Sequence, residues 1–111
     1  DDQYGLSYVD FAGGRLTVAQ ADLPVGQPVR VRLQARDISL TLSQQADTSI
    51  LNIFPVTIEA IAEETPAQQL VILDANGATL LARITRKSAE HLGLTVGKQV
   101  YAQVKSVALL E

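Results

Sequence analysis

The chain has 111 residues, of which 47% are hydrophobic and 5% aromatic, with a net charge of -3. That suffices for one compact unit or two small ones and excludes a large catalytic domain. An acidic balance without tryptophan argues against a backbone-tracking nucleic-acid binder, which needs a basic face and aromatic platforms. The lack of cysteine removes any disulfide framework or thiolate metal site, and no apolar run approaches the roughly 18 residues of a membrane span.

In chain order, the FAGG tetrapeptide at 11–14 predicts a hairpin joining strands at 6–10 and 15–19. A glycine turn, LPVGQPV at 23–29, then feeds a segment in which Val29, Val31 and Leu33 face one way, the period-2 pattern of a half-buried strand. A further strand is expected at 38–42, and the polar run SQQADTS at 43–49 reads as a linker or crossover. A strand at 53–62 precedes a hairpin about DANG at 74–77, which joins 69–73 to 79–84. Its Asn76-Gly77 pair is a strong two-residue turn signal.

Past Ile84 the chain enters one short helix. Thr85 stands at the N-cap position, Ser88 lies three residues on, and Gly93 falls where a left-handed helix end is expected. A helix start presents oriented N–H donors and partial positive charge to an anion, worth roughly 0.3 to 1 kcal/mol near the surface. Arg86 and Lys87 add to that sign. Val100, Ala102 and Val104 then alternate in a final strand leading to Lys105-Ser106.

Residues 23–40 lie over residues 94–111 at a constant offset of 71, with Leu23, Val25, Gly26 and Val29 matching Leu94, Val96, Gly97 and Val100. The two hairpins extend the likeness upstream, while the helix is missing from the first copy. Many short strands, Gly and Asn turns and a single short helix predict an all-β fold of OB-type Greek-key barrels. The expected division is an N-terminal β half at 1–47, a partial OB-like subdomain, and a second module at 48–111. No methionine occurs and the sequence opens Asp1-Asp2 without a signal peptide, so it reads as an excised part of something longer.

Catalytic chemistry finds little support. His91 is the single histidine, has no partner at a telling spacing, and reads as a solvent-facing helix residue. Glu63 and Glu64 are adjacent, which on a strand points them to opposite faces, and a loop beside Pro66 accounts for them as solvated charge. Neither a phosphate-cradling GxxxxGK[ST] loop nor a zinc spacing occurs. No enzyme, no catalytic residue and no bound cofactor or metal are expected.

Three blocks carry a family resemblance. SILN at 49–52 stands where the family shows Ser-Ala-Arg-Asn, ITRKSAEHLGLTVG at 84–97 is close to Ile-Thr-x-x-Ser-Ala-x-x-Leu-Gly-Leu-x-x-Gly, and VKSV follows at 104–107. Together they make residues 49–110 resemble the molybdenum-binding Mop module, also called the TOBE domain, of oxyanion transport ATPases and molybdate-responsive proteins. The preceding half, with Arg36-Asp37-Ile38-Ser39, resembles the segment that joins the nucleotide-binding domain to this module in molybdate-importing ABC ATPases.

The resemblance implies barrels paired in a homodimer with molybdate or tungstate at the interface. A tetrahedral dianion leaves water only if most of its oxygens receive hydrogen bonds, each worth about 1.5 to 3 kcal/mol to a charged group. By carry-over, Thr85, Ser88 and the amide of Ala89 line one wall, Lys105 and Ser106 add charge and a hydroxyl, and Ser49, the amide of Ile50 and Asn52 come from the partner chain. The implied setting is cytoplasmic, at the inner face of the cell membrane, beside an ABC ATPase domain and a membrane permease, without membrane insertion or nucleic acid. The implied role is regulatory sensing of cytoplasmic oxyanion. The alternatives are a ligand-free dimerisation or interaction domain and a molybdate storage or effector module. One position departs from the pattern: Leu51 replaces the family arginine, removing a bidentate oxyanion donor. Read without a ligand, Thr85 is a plain N-cap, Ser88 a helix surface residue, Lys105 a solvated strand lysine and Leu51 a packing residue.

Overall fold

A computed structural model describes residues 3–19 and 23–110. Strands β1 (Ser7–Phe11) and β2 (Gly14–Val18) form the first hairpin, and β3 (Arg30–Arg32) follows the first glycine turn. A 3-10 turn at Ala35–Asp37 leads into β4 (Ile38–Thr41), after which 42–51 run without regular structure. The second half holds β5 (Asn52–Glu63), β6 (Gln68–Ala75), β7 (Ala78–Thr85), helix α1 (Arg86–Leu92), β8 (Gln99–Val104) and β9 (Ala108–Leu110).

The main sheet has five antiparallel strands in the order β4-β8-β5-β6-β7. Its edge strands β4 and β7 pack against each other, which curls the sheet into the expected OB-type barrel. Alternation fills its interior: Phe54, Val56 and Ile58 of β5, Val71 and Leu73 of β6, Leu80 and Ala82 of β7, and Val100, Ala102 and Val104 of β8 are all buried. A bulge between Ile58 and Ala60 bends the 12-residue β5 so that one strand serves both sides of the curl. Pro55 fits this long strand because Ile58 directs its N–H and C=O toward the chain entering β8, so by alternation the nitrogen of Pro55 points the other way. There β6 has not yet begun, its pairing starting at Thr57, and no donor is missed.

The halves exchange strands. β4 of the first half pairs with β8 of the second, and β9 of the second pairs with β3 of the first. The first hairpin also inserts into the common core: Leu16 is 1% exposed, and Phe11 meets Phe54 edge-on with ring centroids 5.3 Å apart. The repeat seen in the sequence is therefore structural. Turn-flanking Phe11 and Gly14 correspond to Ala75 and Ala78, an offset of 64, while beyond the helix the offset is 71; the difference is the seven residues of α1. Gly26 and Gly97 share the same left-handed backbone, at φ +83° and +90°.

Candidate functional site

The helix start is built locally. Thr85 ends β7 in extended backbone and accepts the Ser88 N–H at 3.0 Å on its Oγ1, the expected N-cap. The same hydroxyl donates to Ser88 Oγ at 2.9 Å, which leaves the Ser88 hydroxyl hydrogen to donate outward. Both side chains are exposed, whereas Ala89 is turned into the core and is 6% exposed. Gly93 ends the helix at φ 65°, ψ 41°, the left-handed conformation only glycine takes without strain. Lys98 then reaches back with its ammonium to the carbonyls of Leu92 and Gly93 at 3.0 and 3.1 Å. A lysine placed five residues past a helix-ending glycine was the signal for that cap, and composition alone did not reveal it.

The second group of expected site residues gathers elsewhere. Asn52 pairs with Val104 across the β5–β8 ladder, so Ser49–Asn52 and Lys105-Ser106 lie at one end of the barrel. Lys105 donates its N–H to the Asp37 carbonyl at 2.8 Å, bringing the backbone of Arg36 and Asp37 to the same end. Ser49, Lys105 and Ser106 are exposed, as is Leu51 at 66%. Two donors here are already engaged. The Ile50 N–H meets Thr48 Oγ1 at 3.1 Å. The Asn52 side chain accepts the Thr17 N–H at 2.7 Å and donates to the Thr17 carbonyl at 2.9 Å.

That bidentate contact imitates one rung of a β-ladder and fastens β2 to the beginning of β5. Asn52 is 7% exposed, and an amide with one donor face and one acceptor face is the side chain that can replace a peptide group in this way.

Within one chain, these two groups do not meet. Thr85 pairs with Gln68, beyond the Glu63 end of β5, while Asn52 marks the other end. Twelve residues of β5 separate them, about 36 Å of extended strand before its bend. Lys105 and Ser106 thus stand with Ser49–Asn52 rather than with the helix start.

Elsewhere, two ion pairs lie on the surface of the described residues. Glu64 lies exposed in the turn after β5, as expected, and there accepts two hydrogen bonds of 2.7 and 3.2 Å from Arg83 of β7. The hydrogen bond from Arg83 holds the Glu64 carboxyl below its ordinary pKa. Arg15 bonds Asp10 at 2.9 Å and sits 5.6 Å from the Tyr8 ring centre. His91 is exposed on α1. Among the described residues no group of three or more His, Cys, Asp or Glu could hold a metal ion, and no helix is long and apolar enough to cross a membrane.

A small curled barrel with a short helix at one end, and with exposed hydroxyls and a lysine divided between its ends, defines an OB-type β-barrel module. The TOBE domain model matches residues 48–110, more than half of the chain, and the chain belongs to that family. It is 48% identical over 110 residues to the molybdenum import ATP-binding protein ModC of Aromatoleum aromaticum, covering 99% of this chain and 29% of that protein. The corresponding protein of Albidiferax ferrireducens is 50% identical over 110 residues, covering 99% and 30%. ModC 2 of Azotobacter vinelandii is 51% identical over 112 residues, covering 100% and 31%. The chain thus spans about three-tenths of these relatives. A crystal structure of the cytoplasmic molybdate-binding protein ModG with molybdate bound superposes at a TM-score of 0.70 and 22% identity, over 79% of this chain and 63% of that one. At that identity the likeness establishes the shared fold.

Proposed function

We infer that this chain is the oxyanion-binding regulatory part of an ABC importer's ATPase subunit, taking molybdate or tungstate from the cytoplasm at a site shared between two copies. The observation that carries this reading is the division of the exposed donors. Thr85 and Ser88 stand at one end of the barrel, Ser49, Lys105 and Ser106 at the other. A second copy laid end against end brings the two groups together around one anion, and names borne by the relatives supply its chemistry. Residues 48–111 form the oxyanion module, completed by β4 from 1–47, whose pairing with β8 makes the two segments one folding unit.

A dianion here needs several simultaneous donors, because hydrogen bonds to charge contribute about 1.5 to 3 kcal/mol each against a large desolvation cost. Ser88 Oγ, Ser106 Oγ, Ser49 and the Lys105 ammonium supply them. Arg36, whose backbone lies beside that of Lys105, brings a second cation to the end where Leu51 lacks one. Occupancy then favours one arrangement of the ATPase subunits at the membrane permease, and feedback needs a coupling of only about 1 to 3 kcal/mol. The engaged Asn52 and the exposed Leu51 favour, as the second reading, a ligand-free dimerisation module.

Isothermal titration with molybdate, tungstate and sulfate separates the two. Heat with molybdate or tungstate, lost in Ser88→Ala and in Lys105→Ala, is the expected result, together with a dimer in solution. No heat with any anion at millimolar concentration leaves only the second reading.

A further inference from the structure

The exchange of strands gives each half the same plan, and one strand of that plan is absent from the first half. In the second half the order is β4-β8-β5-β6-β7. Replacing each strand by its repeat partner gives β9-β3-x-β1-β2, where x is the counterpart of β5. Both remaining pairs are present, β9-β3 and β1-β2, as two separate two-stranded sheets. Nothing among the described residues occupies x, the strand that would join them.

The space at x is lined by the repeat counterparts of the residues that flank β5. A cavity of about 800 Å³ is bounded by residues 6–10 on one side and 23–29 on the other. At the offset of 64, residues 6–10 correspond to 70–74, which pair with residues 57–62 of β5. At the offset of 71, residues 23–29 correspond to 94–100, and it is there that Gly97 donates to the Ile58 carbonyl at 2.7 Å while Lys98 accepts the Ile58 N–H at 3.0 Å. Both walls of the cavity are thus the two surfaces that clasp β5 in the other half. Gly26 and Gln27 hold the places of Gly97 and Lys98, and Gly26 already has the required φ.

Side chains agree with the backbone. Val29 is 36% exposed while its counterpart Val100 is 1% exposed, and Val9 is half-buried while Leu73 is 0% exposed. On β1, pairing of Phe11 with Gly14 across a two-residue turn directs the N–H and C=O of Tyr8 and Asp10 away from β2, toward the cavity.

We propose that this cleft is a strand-acceptor site, filled by an extended segment of the same polypeptide that runs directly into residue 1 in the longer protein. The offset of 64 places the counterpart of Glu63 just ahead of residue 1, and the curated relatives are about three times as long as this chain. The segment runs antiparallel to both β1 and β3, as β5 does to β6 and β8. It carries apolar residues at alternate positions facing Val9 and Val29, and its central residue accepts from the Gly26 N–H and donates to the Gln27 carbonyl. Filling the site merges the two small sheets into a second five-stranded barrel wall. The inference stands on the repeat alone and is independent of any oxyanion.

Amide hydrogen exchange tests it by comparing the 111-residue chain with the same chain lengthened by the residues its gene encodes directly ahead of it. Exchange at Tyr8, Asp10 and Gly26 is expected to slow by about tenfold or more in the lengthened chain. A synthetic peptide copying Asn52–Glu63, added in excess, is expected to slow those amides in the short chain and to have no effect on the lengthened one. Unchanged rates on lengthening overturn the proposal; if the peptide nevertheless protects the short chain, the cleft accepts a strand from a separate partner instead.

Discussion

Replacing Asn52 by alanine in the absence of any oxyanion separates a structural asparagine from one held for a ligand. The substitution deletes two hydrogen bonds, of 2.7 and 2.9 Å, to the backbone of Thr17. Each is worth about 1 kcal/mol net, and leaving the half-buried Thr17 N–H and carbonyl without partners adds part of their desolvation penalty. The expected loss is about 2 to 3 kcal/mol, which for a domain of this size lowers Tm by about 10 °C. Asn52→Asp keeps an acceptor for the Thr17 N–H but sets a carboxylate oxygen against the Thr17 carbonyl, so at neutral pH it destabilises at least as much. Urea unfolding of the ligand-free proteins measures both. A loss below about 0.5 kcal/mol for Asn52→Ala, with an unchanged m-value, refutes the reasoning and returns Asn52 to the oxyanion.

Leu51→Arg restores the family's guanidinium at a position 66% exposed; molybdate affinity by titration is expected to rise about tenfold or more for one bidentate contact, with the melting temperature nearly unchanged. Thr85→Ala removes the helix cap seen in the Ser88 N–H bond and is expected to lower stability by about 1 kcal/mol, while Thr85→Ser retains most of it, as thermal melts will show. The Arg83 hydrogen bond depresses the Glu64 pKa. Its contribution is therefore complete above the ordinary carboxylate range and disappears as pH falls through the lowered folded-state value. Melting curves from pH 7 down to about pH 3 should show an acid-side decline that is shallower in Glu64→Gln; an identical slope contradicts the pairing.

The barrel was legible because its strands are half-buried. Alternation of apolar residues in β5, β7 and β8, and the Asn76-Gly77 turn, whose two residues take φ 52° and 98°, depend on neighbours in sequence. β9, three residues long and preceded by Val107, was missed as a strand because so short a segment has no period to read. The residues proposed for the site could be named from the sequence, but not how the fold groups them. Thr85, Ser88 and Gly93 were placed correctly as a capped helix, since caps are local. That Lys105 lies beside Asn52 and away from Ser88 follows from the β5–β8 register, a contact between residues far apart in sequence. The amide of Asn52, singled out for an anion, is engaged by Thr17, 35 residues away, a pairing that no spacing rule anticipates.

The exchanged strands also set an order of events during synthesis. β3 must wait for β9, at the other end of the chain, and β4 for β8. Neither half can close its hydrogen bonds while the ribosome is still making the second, and such long-range pairings are slow to form. Until residues 108–110 emerge, β3 is an open edge able to pair with the wrong chain. The three-residue β9 thus closes one edge of β3, a larger consequence than its length suggests.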